Sequence, residues 1–479
     1  MIERTRALEQ FSFLFTQDGG YLRIPIWGHI PLSRPARRII EHPDFVRLSR
    51  IRQLGFVHYV FPGASHTRFE HSVGTYHLSV SLLQRLVLNP LNWHESGGPK
   101  ITPEEACLFL AASLVHDIGH YPFAHLVDRL RGEIRNPKSE IRNDLVFQTH
   151  EERAKEYLLA SRRPGSLYAI LRDDWGIEQP ELVAEIITNP SDSGLPGKML
   201  SGVLDPDKMD YLMRDGWACG VPYGNIDSER LIESLVPDVD PPRRRLGITE
   251  KGIAPLESLV FAKYMMFRHI YWHHTVRIAA AMFTRYVQDG LEAGEIAPSS
   301  FYRLADEALI EDLADNARLI PSGQLILSLR DRALYKRGIT LYPAHGAPFD
   351  EFAIADEQLD RVKELYWRPD RRREKEIAVC DLLNRLEGLD LQGFEVLLDI
   401  PRVVTVFDIE DFRDLRVLID HQGGKSEFVP FESYGFTQIT ADFVQEFERF
   451  SRRVQVICRP DFREALMRRR KEIRDIVIG

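Results

Sequence analysis

Apolar positions along the chain fall into two regimes. Between about residues 45 and 290 they recur at three- and four-residue spacing. In the segment 70–88, Val73, His77, Val80, Leu83 and Val87 form one stripe, the pattern of an amphipathic helix. The next segment opens with Thr102-Pro103-Glu104-Glu105, which offers an N-cap hydroxyl, a proline at the first helical position and a glutamate at the third. Its apolar run CLFLAASLV carries that helix inward to His116, so whatever follows begins deep in the protein. Further helices are predicted at 151–160, 181–188, 205–215 and 255–290, separated by breaks that contain Pro and Gly. Ahead of them, extended pieces such as 21–26 with a turn at Gly28 predict a small hairpin or arm. Beyond about residue 300, β-branched runs at 402–409, 416–420 and 454–458 alternate with charged helical stretches such as 356–386. The expected fold is mainly α, with an N-terminal arm or hairpin at 1–45, a helical domain at 46–295 and a smaller α+β portion at 296–479.

Composition narrows the class. With 479 residues, 44% hydrophobic and 28% charged, the chain can bury more than one core and is not disordered. Sixty-two basic against 71 acidic residues leave a net charge of −9, which disfavours a nucleic-acid coating role but permits a local basic pocket. Cys107, Cys219, Cys380 and Cys458 form no C-x-x-C pair, so neither a disulfide framework nor a thiolate zinc cage is expected and the setting reads as cytoplasmic. No leader pattern opens the chain and no window approaches 18 uninterrupted apolar residues, so no signal peptide or membrane span is expected.

Candidate chemistry concentrates on histidine. His66 and His71, then His116, His120 and His125, then His150 form three groups in the first half of the chain, each with a carboxylate nearby. In His116-Asp117-Ile118-Gly119-His120 an imidazole and a carboxylate are adjacent at the end of an apolar helix. Adjacent residues point about 100° apart, so both reach one ion only at the helix end or over the bend that Gly119 permits. Such nitrogen and carboxylate ligands suit Mn, Fe, Zn, Ni or, less tightly, Mg. Upstream, Arg68 sits three residues before His71 at a predicted helix start, where amides and guanidinium favour an anion. Downstream, helical spacing places Lys208, Tyr211 and Asp215 on one stripe, a cation, an aromatic plate and an acceptor. An ordinary acidic helix with internal ion pairs explains that stripe equally well.

The ordered set His71, His116-Asp117 and Asp207 resembles the HD-domain metal-dependent phosphohydrolases, and within them the deoxynucleoside triphosphate triphosphohydrolases. The runs RIRQLGFVHYVFPGASHTRFEHSVG, HDIGHYPFAHLVD and DPDKMDYLMRD, with Thr149-His150-Glu151, share that group's order and local spacing over roughly residues 20 to 290. The resemblance implies an all-α HD core in which His71, His116, Asp117 and Asp207 hold one divalent metal, with Co added to the candidates above. It further implies that Arg68 and Lys208 grip the triphosphate, that His120 and His150 lie near the α-phosphate, and that His125 backed by Asp128 protonates the leaving 5′-oxygen. Gln53 and Asp215 would hold the sugar 3′-hydroxyl and Tyr211 would lie against the sugar. Tyr264, Tyr271 and Trp272 stand on an aromatic-rich segment that serves either as core or as a gate against a ribose 2′-hydroxyl. The implied reaction converts a dNTP to a deoxynucleoside and inorganic tripolyphosphate. The implied assembly is a homo-oligomer, dimer or tetramer, with a nucleotide effector as a candidate partner.

One departure stands out. The group's Asp-Pro-(Ile/Val)-His-Gly pattern reads Ile24-Pro25-Ile26-Trp27-Gly28 here, so apolar groups replace polar ones on the arm that helps bind an activating nucleotide in effector-controlled relatives. Arg47, Arg50 and Arg52 remain, while Ser49 stands where such relatives carry an arginine. Two alternatives stay open: a metal enzyme acting on another nucleotide or nucleic-acid phosphoester, and a non-catalytic nucleotide sensor. The C-terminal third is expected to serve oligomer contacts and pocket closure.

Overall fold

The computed structural model describes residues 7–95, 97–124, 126–127, 130, 147–239, 244–343, 352–401, 415–420, 426–435, 437, 439–440, 443 and 453–479. His125, Asp128 and the run expected to be extended at 402–409 lie outside them.

The predicted hairpin is formed by β1 (Tyr21–Ile24) and β2 (Gly28–Pro31), antiparallel with Ile24 opposite Gly28. Helix α1 (Arg68–Leu88) starts in a capping box, in which the Glu70 carboxylate accepts the Thr67 N–H at 2.7 Å. Glu70 is thus a structural acid. Where the sequence predicts one buried stripe, α1 buries Val73, Tyr76, Leu78, Leu82, Leu83, Leu86 and Val87, and small residues at 72, 74, 75 and 79 fill its other faces. It is a central helix, and each fully buried Leu or Val on it stabilises the fold by about 1.5–3 kcal/mol.

Helix α2 (Pro103–Val115) begins in the predicted Thr102/Glu105 capping box, and every residue from Leu108 to Val115 is buried. It stops at His116, whose Nδ1–H donates to the Ser113 carbonyl at 2.9 Å and so satisfies a last-turn acceptor. Helices α3 (His150–Leu159), α4 (Glu181–Thr188) and α5 (Pro206–Cys219) lie where the pattern places them, and α5 closes on Gly220 at φ +67°. The long helix predicted at 255–290 is broken. It consists of α6 (Ile253–Met266), a π-helical turn at Phe267–Tyr271 and α7 (His274–Ala293). The break has a local cause. The Trp272 N–H reaches back five residues to the Phe267 carbonyl at 2.9 Å, and at the start of α7 the His273 ring nitrogen accepts the Thr275 N–H at 3.3 Å.

The strands β3 (Leu235–Asp238) and β4 (Arg245–Thr249), short and almost wholly buried, come from within the helical region. Beyond them lie β5 (Lys336–Pro343), β6 (Ala353–Ile354), β7 (Val396–Asp399), β8 (Arg416–Asp420), β9 (Ser426–Pro430) and β10 (Val454–Cys458). Two four-stranded sheets result, in the orders β3-β4-β8-β9 and β6-β5-β10-β7; the β4–β8 and β5–β6 pairs are parallel and the rest antiparallel. The helices of the C-terminal part include α8 (Asp306–Asp315), α9 (Asp356–Trp367) and α10 (Pro369–Glu387). The chain is mainly α with small sheets towards its C-terminus, as its pattern predicts. Among the described residues three cores hold the chain together. The first joins α1, α2, α4, α5 and α6. The second packs Phe56, Tyr121, Phe123 and Phe147 against α7 and residues 296–335, and the third lies between the β6-β5-β10-β7 sheet and α9 and α10.

Candidate active site and metal centre

Three elements converge on one point. The first turn of α1 supplies His71, the end of α2 supplies His116 and Asp117, and the first turn of α5 supplies Asp207. Ligand atoms of His71, His116 and Asp117 lie within 4.8 Å of one another. Asp207 Oδ1 stands 2.9 Å from His71 Nε2 and 3.6 Å from His116 Nε2, which joins it to the same cluster. The Asp207 side chain is 31% exposed against 1% for His71, so the cluster opens on the α5 side.

Both imidazoles are oriented from behind. Asp210 accepts a hydrogen bond from His71 Nδ1 at 2.8 Å, and the Ser113 carbonyl accepts from His116 Nδ1, so each ring turns Nε2 to the cluster. His116 Nε2 is buried and has no hydrogen-bond partner. An unpartnered imidazole nitrogen beside two carboxylates is the donor set a divalent transition metal takes, and the four residues fit one.

Electrostatics agree with that arrangement. Burial alone would raise the Asp117 carboxyl, but Arg68, His120 and His116 hold it well below the usual carboxylate range. Burial likewise works against ionised Asp207, yet His116 and His71 hold it well below that range. For His71, burial favours the neutral ring and is outweighed by the hydrogen bonds to Asp207 and Asp210, which raise it to about 10. Burial, then Arg68 and His150, push His120 well below the ordinary histidine value, so that ring is neutral near pH 7.

Arg68, His120 and His150 adjoin this cluster, and Lys208, Tyr211, Asp215 and Gln53 line the neighbouring α5 side. Arg68 donates to Asp117 Oδ2 at 2.7 Å. His120 Nε2 lies 3.0 Å from Asp117 Oδ1, and its ring stacks on His150 with centroids 3.9 Å apart. Lys208 Nζ bonds the Gly202 carbonyl at 2.8 Å and Asp205 at 2.5 Å, so this cation is paired within its own helix start. Asp215 is bound by His66 Nε2 at 2.8 Å and by the Tyr271 hydroxyl at 2.5 Å. The Gln53 N–H donates to the His66 carbonyl at 3.0 Å, which brings Gln53 and Asp215 to one wall. Tyr211 lies between Asp207 and Asp215 on α5, where burial and these carboxylates raise its hydroxyl well above 10. Buried atoms without a hydrogen bond include Gln53 Oε1, Arg68 Nε, His120 Nδ1 and His150 Nδ1. His125 and Asp128 lie outside the described residues.

Several contributors carry no local sequence signal. Asp210 orients a histidine 139 residues away, and Trp27, expected to make the arm apolar, donates its indole N–H to Asp210 across 183 residues. Of the three aromatics left open between core and gate, Tyr264 is fully buried in the first core, whereas the π-helical turn delivers Tyr271 to Asp215. Arg47, grouped by sequence with the arm's basic residues, turns inward and donates to the carbonyls of Ile118 at 2.6 Å and His120 at 2.9 Å.

Residues 68–207 match the HD domain and residues 226–405 the HD-associated region. An uncharacterised protein of Methanocaldococcus jannaschii is 29% identical over 319 residues, covering 67% of this chain and 59% of that protein. The deoxynucleoside triphosphate triphosphohydrolase SAMHD1 of Xenopus laevis is 30% identical over 287 residues, covering 54% of this chain and 44% of that protein. The chain thus spans about half the length of these curated relatives. The crystal structure of a phosphohydrolase from Bacteroides thetaiotaomicron superposes with a TM-score of 0.62 at 22% identity, covering 92% of this chain and 99% of that one, which shows the shared fold. Since the HD match spans all four clustered residues and the associated region follows it, the chain belongs to the HD-domain phosphohydrolase family.

Proposed function

We propose that this HD phosphohydrolase converts deoxynucleoside triphosphates to deoxynucleosides and inorganic tripolyphosphate. The observation that carries the reading is the ring of buried, unpartnered polar atoms around the two-histidine, two-carboxylate cluster: His116 Nε2, Arg68 Nε, His120 Nδ1, His150 Nδ1 and Gln53 Oε1. Buried polar groups are rarely left without partners, so such a set marks space for a polar ligand. The similarity to a dNTP triphosphohydrolase supports a deoxynucleoside triphosphate as that ligand.

In this reading His71, His116, Asp117 and Asp207 would hold the metal, which would supply Lewis acidity and would lower the pKa of water at the site. Arg68 and Lys208 exchange part of their present bonds to Asp117 and Asp205 for the triphosphate oxygens. Neutral His120 keeps Nε2 on Asp117 and leaves Nδ1 to accept from water beside the α-phosphorus, with His150 stacked behind it. Water adds to phosphorus, the P–O5′ bond breaks, and the 5′-oxygen takes a proton, for which the resemblance nominates His125 backed by Asp128. Asp215, fixed between His66 and Tyr271, and Gln53 receive the sugar 3′-hydroxyl, and Tyr211 flanks the sugar. The Tyr271 hydroxyl beside Asp215 narrows the space for a 2′-hydroxyl. Assembly as a homo-oligomer, a nucleotide effector and a cytoplasmic setting belong to the same reading, and light scattering with and without nucleotide checks the first two.

Hydrolysis in ¹⁸O-water tests the chemistry. Attack at the α-phosphorus places the label in tripolyphosphate and leaves the nucleoside unlabelled. Label in the nucleoside, or nucleoside monophosphate with pyrophosphate as products, would contradict it.

A further inference from the structure

The N-terminal hairpin reaches the site through Trp27. Trp27 sits in the three-residue turn between β1 and β2, and its Nε1–H donates to Asp210 Oδ1 at 2.5 Å. Asp210 is fully buried and uses both oxygens. Oδ2 accepts from His71 Nδ1 at 2.8 Å and Arg214 Nε at 2.9 Å, and Oδ1 accepts from Arg214 Nη2 at 2.8 Å as well as from Trp27. Space for this network is built into α1, because a Cβ on Gly74 would meet Asp210 Oδ1 at 1.9 Å and Arg214 Nη2 at 2.6 Å.

The turn that presents Trp27 is strained. Ile26 has φ +76°, a left-handed conformation that a β-branched residue rarely adopts and that costs about 1–3 kcal/mol. Strain of this kind persists only where the surroundings over-determine it. Here the surroundings are the indole–carboxylate bond and the His77 ring, whose centroid lies 5.6 Å from that of Trp27.

We propose that the hairpin is a positioning element for the metal-binding face, in which Trp27 locks the Asp210 carboxylate so that His71 presents Nε2 to the ion. Trp27 touches neither ion nor substrate and acts through Asp210 and His71. The proposal rests on the reading of His71 as a ligand. It makes docking of the arm a condition for tight metal binding, since lifting the hairpin withdraws the donor that holds Asp210 against rotation towards Arg214 alone.

Trp27→Phe keeps an aromatic ring and removes the donor. In calorimetric titration of the full chain with Mn²⁺, this variant is expected to bind about three- to tenfold more weakly than wild type, less than the tenfold or more that losing Asp210, the direct outer partner of His71, would cost. In metal-free protein with ¹⁵N-labelled histidine, its His71 ring resonances are expected to shift. Trp27→His, which restores an N–H donor, recovers part of both, and Ile26→Gly, which relaxes the turn and keeps Trp27, changes neither. Should Trp27→Phe fail to fold, β-benzothienylalanine at position 27 keeps the bicyclic ring without the N–H. Mn²⁺ affinity within twofold of wild type, with His71 resonances unmoved, would overturn the proposal. A wild-type chain that binds no Mn²⁺ would defeat the ligand reading instead, and the metal-free resonances would then decide the role of Trp27 alone.

Discussion

Asp306 is buried, yet its two oxygens accept backbone N–H groups, from Arg52 at 2.7 Å and Phe123 at 3.3 Å. It ties α8 to the strip before α1 and to the turn after His120. Burial pushes its carboxyl up to about 6, with the Arg52 amide and charge opposing and Glu307 adding to the rise. A raised acid binds its proton more tightly in the folded chain, so this contribution to stability is full below about pH 4 and is lost as pH rises through about 6. The loss amounts to about 3 kcal/mol at most. Urea unfolding of wild type and Asp306→Asn from pH 4 to 7 should show the wild-type advantage shrinking across that window; a constant difference would contradict the assignment. Residues of this kind were not legible in the sequence, because Asp306 meets partners 183 and 254 positions away. The grouping of His71, His116, Asp117 and Asp207 was legible only through the resemblance of their ordered motifs to a known family, since an isolated His-Asp pair carries little signal.

The turn after α2 shows the same division at the scale of an element. Its three successive carbonyls, from Ile118, Gly119 and His120, are each bound by a guanidinium: Arg47 takes the outer two, and Arg153 takes Gly119 at 2.8 Å. Arg153 is buried and stands over the Tyr121, Tyr302 and Tyr157 rings at 4.1, 4.9 and 5.4 Å. Arg153→Met leaves a buried carbonyl unpaired and should cost about 2–3 kcal/mol in urea unfolding. Its kcat should also fall at least about tenfold where the variant stays folded, because this turn carries Asp117 and His120. Gly119 has no substitute, since a Cβ there would lie 1.9 Å from the His150 carbonyl oxygen and 2.5 Å from the Ala154 nitrogen. Gly119→Ala is expected to lower Tm sharply, and an unchanged Tm would refute this packing. The capping box of α2 was read from a four-residue window, whereas the π-helical turn that delivers Tyr271 was not, because the flanking residues carry a continuous helical pattern.

For the molecule as a whole, charged pairs fasten α7 to the C-terminal part. Arg277 grips Asp399 of β7 at 2.9 and 2.5 Å, Arg285 meets Glu376 of α10 at 2.5 Å, and Arg373 meets Asp289 at 2.8 Å. Glu376 also accepts the Leu398 N–H at 2.8 Å. Breaking such a buried pair on one side costs about 3–5 kcal/mol, so Glu376→Ala should be much less stable than the Arg285→Met/Glu376→Leu double variant. Equal stabilities in urea would show that the pair is not buried as described. Since α7 begins just after the turn that carries Tyr271, these pairs also link the C-terminal part to the Asp215 wall. The proposed reaction is metal-dependent release of tripolyphosphate at the His71, His116, Asp117 and Asp207 cluster. It is tested most directly by incubating the purified chain with each dNTP and NTP under Mg²⁺, Mn²⁺, Co²⁺ or no metal, beside His116→Ala and Asp207→Ala, with products resolved by chromatography and phosphorus NMR. Deoxynucleoside and tripolyphosphate are expected from dNTPs, and their release is lost without metal and in both variants; intact dNTPs under every metal and added nucleotide, or undiminished turnover in either variant, would contradict this reaction.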